Sequence, residues 1–329
     1  MKKKILVTRN LPDKAMKLLY ETYDVELNPW DRVMTEDELI EGIRDKQGLL
    51  CLLTDNISAE IMDEAKNLKV ISNYAVGFNN IDVKAATERG IPVTNTPGVL
   101  TETTADLAWA LLMATARRVV EADAFMRKGA YKGWGPMLFL GGDVYGKTLG
   151  LIGMGRIGSA VARRAVGFNM RILYYDMNRL PEDEEKTLNL EYADFDEILR
   201  SSDFVSLHVP LVPSTKHLIG TRELSLMKPT SYLINTSRGP VVDEKALVEA
   251  LRSKKIAGAG LDVYENEPEM APGLAQLESV VLLPHIASAS VDTRTKMGTI
   301  AACNLMTGLA GELPANCVNP EVFIKAKHL

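Results

Sequence analysis

Several features that assign a chain to a specialised class are scarce in this sequence. It has three cysteines in 329 residues, too few and too scattered for a disulfide framework or a zinc site. We therefore expect a reducing compartment and no bound metal. Its 38 Lys and Arg residues do not exceed its 43 Asp and Glu residues, and the net charge is −5. Nucleic acid is not the expected partner.

Long apolar runs are also missing. The longest, Leu107 to Ala114, falls far below the ~20 residues that cross a bilayer. The charged N-terminus is followed by an apolar run, Ile5 to Val7, which is too short for a secretory signal. We expect a cytoplasmic protein with no membrane partner.

The composition that remains, 46% hydrophobic and 25% charged, is that of a globular protein with a sizeable core. Strand-like runs alternate with helical patterns along most of the chain, which predicts parallel sheets covered on both faces. The predicted strands are Ile5–Thr8, Gly48–Leu53, Val70–Ser72, Ile91–Thr94, Leu149–Ile152, Arg171–Tyr175, Phe204–His208, Tyr232–Asn235, Ala257–Asp262 and Val280–Leu283.

The two series of strands are separated by Pro97-Gly98 and a predicted long helix over 103–118. This pattern predicts an α/β fold of two doubly wound parallel-sheet domains with a cleft between them. A helix from Met297 onward is expected to cross back to the first domain. The acidic run from Glu182 to Glu185 is expected to be a solvated loop.

The most informative segment is a glycine-rich turn. Gly153, Gly155 and Gly158 form G-x-G-x-x-G directly after an apolar strand and at the start of a helix. Such glycines permit a tight turn, close approach of a pyrophosphate, and close packing of helix on strand. The helix start supplies N–H groups and a partial positive charge. The turn therefore predicts dinucleotide binding.

The next predicted strand ends in an acid that bears on the choice of dinucleotide. Asp176 lies 18 residues beyond Gly158, where a carboxylate accepts hydrogen bonds from ribose hydroxyls and repels a 2′-phosphate. We therefore predict that NAD(H) is preferred. Arg179, three residues later, is able to attract a phosphate and keeps NADP(H) open.

Three polar residues follow later strands, where open α/β sheets place their sites: Arg238, Glu267 and His285. A guanidinium matches the fork of a carboxylate, and a histidine can give a proton to a developing alkoxide. A carboxylate touching His285 would favour its imidazolium form. Taken singly, the three residues also fit a surface ion pair, a turn and a structural histidine.

Four motifs in order resemble those of the D-isomer-specific 2-hydroxyacid dehydrogenases, and the resemblance covers nearly the whole chain. They are Gly153–Gly158 with Asp176, Asn235–Gly239, Gly260–Val263 through Glu267-Pro268, and Pro284-His285. The resemblance implies a Rossmann dinucleotide-binding domain over 100–288. It also implies a flavodoxin-like substrate domain over 1–99 and 289–329.

The same resemblance implies roles for individual residues. Arg238 and His285 bind substrate, His285 is the acid/base, and Glu267 tunes it. The N–H groups of Val76 and Gly77 hold the substrate carboxylate, and Asp262 faces the nicotinamide carboxamide. The other implied cofactor contacts are Thr104, Arg156, Ile157, His208, Val209, Pro210, Thr215, Thr236 and Ser237.

Within the family, the chain is most similar to the glyoxylate and hydroxypyruvate reductases, which implies NADH-dependent reduction of small 2-keto acids to D-2-hydroxy acids. It also implies a homodimer formed through the long helix and the segment 126–146. One departure concerns substrate size: the branch often has a second tryptophan four residues after Trp134, where this chain has Leu138. One alternative is the same chemistry on another substrate: 2-ketogluconate, 3-phosphoglycerate or D-lactate. The other is a dinucleotide-sensing corepressor instead of an enzyme.

Overall fold

The computed structural model describes residues 2–325. The chain forms two compact units, one made of residues 1–100 and 289–329 and the other of residues 101–288. The histidine of the tail, His328, lies outside the described residues.

The first unit contains a parallel five-stranded sheet in the order β2-β1-β3-β4-β5. This is the flavodoxin-like order, as predicted. Its strands are β1 (Lys4–Val7), β2 (Asp24–Leu27), β3 (Gly48–Cys51), β4 (Val70–Asn73) and β5 (Val93–Thr94). Its first helices are α1 (Asp13–Thr22), α2 (Glu36–Ile43), α3 (Ala59–Glu64) and α4 (Val83–Glu88).

The second unit contains a parallel seven-stranded sheet in the order β12-β11-β10-β9-β6-β7-β8, which contains the doubly wound Rossmann order. Its strands are β6 (Thr148–Ile152), β7 (Arg171–Tyr175), β8 (Leu190–Tyr192), β9 (Phe204–Leu207), β10 (Tyr232–Asn235), β11 (Gly258–Leu261) and β12 (Val280–Leu282). Its helices are α5 (Thr101–Ala116), α6 (Val119–Arg127), α7 (Arg156–Val166), α8 (Glu182–Leu188), α9 (Phe195–Ser201), α10 (Thr221–Leu226) and α11 (Glu244–Arg252).

The C-terminal helices α12 (Val291–Ala310) and α13 (Glu321–Lys325) belong to the first unit. Helix α12 packs against α1 and against strands β3 and β4. The Ser72 hydroxyl in β4 donates to the carbonyl oxygen of Ala301 at 2.8 Å. Within residues 2–325, no helix is long and apolar enough to cross a membrane.

Three local predictions were wrong. The acidic run forms the start of helix α8, with Glu185 buried, because Tyr174 and Arg179 bind its carboxylate. The long helix spans 101–116, and a second helix follows Arg118, whose φ of 53° breaks the helix. Strands β2 and β8 were missed because neither has an apolar run: β2 alternates between exposed and half-buried residues, and β8 is three residues long with an exposed glutamate at its centre.

The glycine turn after β6 needs its glycines for different reasons. Gly153 has a φ of 96°, a left-handed conformation that side chains disfavour. A Cβ on Gly158 would overlap the carbonyl oxygen of Gly153, so this glycine allows helix α7 to pack against the turn. A Cβ on Gly155 would meet nothing within 4 Å. Gly158 is therefore required by the fold, whereas the space at Gly155 is open to a ligand.

We predict stability effects of different size at two of these positions. Gly158→Ala should lower the free energy of unfolding by about 1–3 kcal/mol, because the turn must move to admit the methyl group. Gly155→Ala, the matched control, should change it by less than about 0.5 kcal/mol. Urea unfolding monitored by circular dichroism measures both. Equal effects of the two substitutions would contradict this account of the turn.

Candidate active site

The glycine turn presents the start of helix α7 at the carboxyl end of β6. Gly155 precedes the helix, and Arg156 and Ile157 form its first turn, so that the unpaired N–H groups of the helix lie beside the open space at Gly155. In the described part of the chain, the buried hydroxyl of Thr236 has no hydrogen-bond partner. An open cradle of N–H groups and an unsatisfied hydroxyl fit a polar ligand such as a dinucleotide.

Asp176 follows β7, next to the turn. Its Oδ2 accepts a hydrogen bond from the N–H of Met154 at 2.7 Å, and its Oδ1 accepts from the N–H of Asn178 at 3.1 Å. The carboxylate therefore ties the glycine turn to the loop after β7. Each carboxylate oxygen can accept a further hydrogen bond, which leaves acceptors for a ribose hydroxyl. The role of Asp176 toward a ribose stays a prediction.

The loop after β9 lies against the glycine turn, since a Cβ on Gly153 would touch His208 and Val209. Burial lowers the pKa of His208 to about 4, and its Nε2 lies 2.9 Å from the hydroxyl of Ser206. A neutral imidazole of this kind does not serve as a proton donor near neutral pH. The Thr215 hydroxyl closes the loop by donating to the carbonyl of Pro210 at 2.6 Å.

Arg238 follows β10 in a turn that a buried amide organises. The Asn235 Oδ1 accepts from the N–H and the hydroxyl of Ser237, and its Nδ2 donates to the Arg238 carbonyl at 3.0 Å. Burial lowers the pKa of Arg238, although the Glu267 charge opposes this. A desolvated guanidinium of this kind attracts an anionic ligand strongly.

Glu267 and His285 come together in the second unit. The Glu267 Oε2 lies 2.9 Å from the His285 Nδ1, and Oε1 accepts from the N–H of Tyr264 at 3.0 Å. Although burial opposes ionisation, the hydrogen bond and charge of His285 lower the pKa of Glu267. The side chain of His285 is 25% exposed. A carboxylate-paired imidazole with one face accessible can hold and transfer a proton.

The buried carboxylate of Asp262 lies under the His285 turn. Its Oδ1 accepts from the N–H of Ile286 at 2.7 Å, and its Oδ2 accepts from the N–H of Ala287 at 2.8 Å. Burial raises its pKa, and the two N–H groups oppose the shift. Asp262 therefore fixes the turn, in which His285 has a φ of 54°. Its expected contact with the nicotinamide carboxamide stays a prediction.

In the first unit, the loop after β4 is held by two amide side chains. Asn73 donates to the carbonyl of Gly77 at 2.9 Å, and Asn95 donates to the carbonyl of Val76 at 2.7 Å. Val76 and Gly77 are both half-exposed. Because side chains bind the two carbonyls, the N–H groups of Val76 and Gly77 are what the loop offers an anion. Their role toward a substrate carboxylate stays a prediction.

Some site residues were missed at the sequence level. The motif Asn235–Gly239 predicts no role for the Asn235 side chain, although an Asn at the end of a strand is typical of a turn that its side chain organises. A second histidine–glutamate pair, His217 Nε2 to Glu265 Oε1 at 2.6 Å, was not expected. No spacing signal points to it, because its partners lie 48 residues apart.

The remaining expected cofactor contacts are distributed over the second unit. Thr104 is buried in helix α5. Thr236 and Ser237 lie in the turn before Arg238. Arg179 is bound to Glu185, with 2.8 Å between Nε and Oε1.

The chain is similar to proteins of one known family. Residues 109–287 match the family model described as "D-isomer specific 2-hydroxyacid dehydrogenase, NAD binding domain". A glyoxylate reductase of Korarchaeum cryptofilum is 55% identical over 98% of this chain and 97% of its own length.

Two solved structures are similar as well. One is a glyoxylate reductase from Paecilomyes thermophila, with a TM-score of 0.85, 35% identity and coverage of 97% of this chain and 99% of that one. The other is an NADPH-dependent glyoxylate/hydroxypyruvate reductase from Sinorhizobium meliloti, crystallised with NADP and malonate. Its TM-score is 0.85 at 34% identity, covering 98% of each chain. The chain belongs to the D-isomer-specific 2-hydroxyacid dehydrogenase family, whose members are oxidoreductases that use a nicotinamide dinucleotide.

Proposed function

We propose that this enzyme uses NADH to reduce glyoxylate to glycolate and hydroxypyruvate to D-glycerate. The observation that carries the proposal is the Glu267–His285 pair, whose Oε2 and Nδ1 lie 2.9 Å apart in the unit that holds the glycine turn. The similarity of the chain to glyoxylate reductases supports the choice of substrate. A corepressor has no need of a paired acid and base, and the proposal therefore favours an enzyme.

The chemistry divides between the bound dinucleotide and the protein. When bound, the reduced nicotinamide supplies a hydride to the keto carbon. His285, protonated and held by Glu267 through Nδ1, donates a proton from Nε2 to the carbonyl oxygen. Because the hydride brings an electron pair to the carbon and the proton goes to the oxygen, the product is the neutral alcohol of the 2-hydroxy acid.

Arg238 is proposed to bind the anionic substrate and stabilise the charge that develops on its oxygen. The half-buried guanidinium lies in a site where water screens charges weakly, and its planar fork matches a carboxylate. The N–H groups of Val76 and Gly77 remain the proposed carboxylate ligands of the first unit.

The preference for NADH rests on Asp176. A carboxylate at the end of β7 can accept from the adenosine ribose hydroxyls, and its charge repels a 2′-phosphate. The relative from Sinorhizobium meliloti is NADPH-dependent, so the two cofactors are not distinguished by family membership. Arg179 does not weaken this proposal, because its guanidinium is bonded to Glu185.

We also propose a homodimer formed through the apolar residues of the segment 119–145. Helix α6 has no buried residue, and Trp134 and Met137 are 82% and 77% exposed. The other exposed apolar residues of the segment are Val119, Val120, Met126, Tyr131, Leu138, Leu140 and Tyr145. A concentration of large exposed apolar residues in one segment is typical of an interface. A second copy of the chain is the proposed occupant, in agreement with the family resemblance.

The first prediction from the proposed function concerns the reaction and its proton donor. Glyoxylate and hydroxypyruvate should oxidise NADH faster than NADPH, as followed by the loss of reduced-nicotinamide absorbance. His285→Asn should lower kcat by about 10²–10⁴-fold while NADH affinity is kept. Asparagine tolerates the positive φ at this position.

His217→Asn is the matched control, since His217 also pairs with a glutamate and has a positive φ. It should keep wild-type kcat. An active His285→Asn variant would remove His285 from its role. A panel without turnover on any 2-keto acid, 2-ketogluconate included, would refute the proposed reaction.

The second prediction concerns pH. Although burial opposes it, the hydrogen bond and charge of His285 lower the pKa of Glu267, so this carboxylate stays ionised well below neutral pH. Reduction requires a proton on the imidazole, and kcat/KM should therefore fall as pH rises. In Glu267→Gln the negative charge beside the imidazole is lost, and the fall of kcat/KM should begin at least about one pH unit lower.

Glu265→Gln is the control for this profile, because Glu265 pairs with His217. Its alkaline limb should coincide with that of the wild type. A Glu267→Gln profile that also coincides with the wild type would show that Glu267 does not tune the proton donor.

The third prediction concerns assembly. The wild-type chain should elute as a dimer with twice the chain mass in light scattering. Met137→Lys, which places a charge within the apolar segment, should shift it toward the monomer. Val166→Lys, a charge at an apolar residue of helix α7 that is 51% exposed, should leave the dimer intact. A wild-type monomer at assay concentration would refute the proposed dimer.

A further inference from the structure

An arginine close in sequence to Asp176, the proposed ribose-binding carboxylate, is held in place by a glutamate of another element. Arg179 lies three residues after Asp176, in the loop that follows β7. Its Nε lies 2.8 Å from the Glu185 Oε1, and its Nη2 lies 2.9 Å from the Glu185 Oε2. The two parallel bonds use one edge of the guanidinium, the arrangement that also binds a phosphate.

Glu185 is itself fixed by its surroundings. Its carboxylate, 9% exposed, accepts a further hydrogen bond from the Tyr174 hydroxyl. That hydroxyl in turn accepts from the N–H of Leu180 at 2.9 Å. The guanidinium carbon of Arg179 lies 5.4 Å from the centre of the Tyr192 ring, which adds a cation–π contact. Arg179 is therefore held by groups from β7, α8 and β8.

The ion pair of Arg179 differs from those of neighbouring cations in the burial of the glutamate partner. In the described stretch 171–192, the other cations, Arg171 and Lys186, also pair with glutamates. The glutamate partners of these two cations are more than half exposed, so the pairs contribute little to stability. The partner of Arg179 is buried, and the Arg179 guanidinium and the Tyr174 hydroxyl hold its pKa at about 2. The pair therefore persists throughout the physiological pH range.

Arg179 is 62% exposed, so burial does not restrain it and the bonds to Glu185 decide where its fork points. NADP(H) differs from NAD(H) by a single phosphate on the adenosine ribose. We infer that Glu185 is a specificity-determining positioning residue that withholds Arg179 from a 2′-phosphate and so strengthens the preference for NADH. This inference rests on the proposed placement of the ribose at Asp176.

Glu185→Gln tests the inference directly. Glutamine keeps the volume and an acceptor for Tyr174, but it loses the charge that holds Arg179. The probes are AMP and adenosine 2′,5′-bisphosphate, which differ by the 2′-phosphate and report binding by calorimetry without catalysis. The affinity for the bisphosphate relative to AMP should rise about tenfold, as expected for one charge-assisted contact.

Two further variants separate the contact from a general change of charge. Glu184→Gln removes an equal charge from an exposed residue of the same helix, and the ratio of the two affinities should stay within about twofold of the wild type. Adding Arg179→Met to Glu185→Gln should return the ratio to the wild-type value. A rise that survives the double substitution, or that Glu184→Gln reproduces, would overturn the inference.

Arg179→Met alone provides a test that does not depend on the folding of the Glu185 variant. If Glu185 withholds Arg179, this substitution leaves the affinity ratio of the wild type unchanged. A drop in the ratio would show that Arg179 already contacts the 2′-phosphate and would overturn the inference. Wild-type protein that binds neither AMP nor NADH would instead refute the proposed dinucleotide site, so the two failures are distinguishable.

Discussion

The turn that carries His285 depends on one buried carboxylate. Asp262 directly follows strand β11, and its own N–H donates to the carbonyl of Asn235 at the end of β10. Its carboxylate oxygens accept from the N–H groups of Ile286 and Ala287, beyond the end of β12. One residue thus joins the carboxyl ends of three neighbouring strands. Without those two donors it would be an unpaired buried acid, which is costly.

The energies involved explain why the strained backbone at His285 persists. A non-glycine residue at positive φ costs of order 1–3 kcal/mol, whereas each hydrogen bond to a charged group contributes roughly 1.5–3 kcal/mol. The two bonds to Asp262 therefore outweigh the strain. Packing adds to the constraint, since a Cβ on Gly239 would overlap the carbonyl of Tyr264. The Arg238 turn and the segment leading to Glu267 are in this way held against each other.

Much of this arrangement follows from sequence, because parallel sheets bring the ends of distant strands to one edge. The glycine turn and most strands of the two series were predictable on that basis, whereas the Rossmann and flavodoxin-like types of the two sheets were implied by the family resemblance. The buried role of Glu185 was not, because four consecutive acids are typical of a solvated surface and the partner Tyr174 lies in a different element. The bonds of Asp262 were equally hidden, because 24 residues separate it from Ile286.

The central claim is that this chain transfers a hydride directly to the keto carbon of a small 2-keto acid and protonates its oxygen through His285. The most direct measurement is the reduction of hydroxypyruvate with NADH that carries deuterium at the transferable position, followed by NMR and chiral analysis of the product. The account predicts D-glycerate with deuterium at C2. L-glycerate, or product whose C2 hydrogen comes from water, would contradict it.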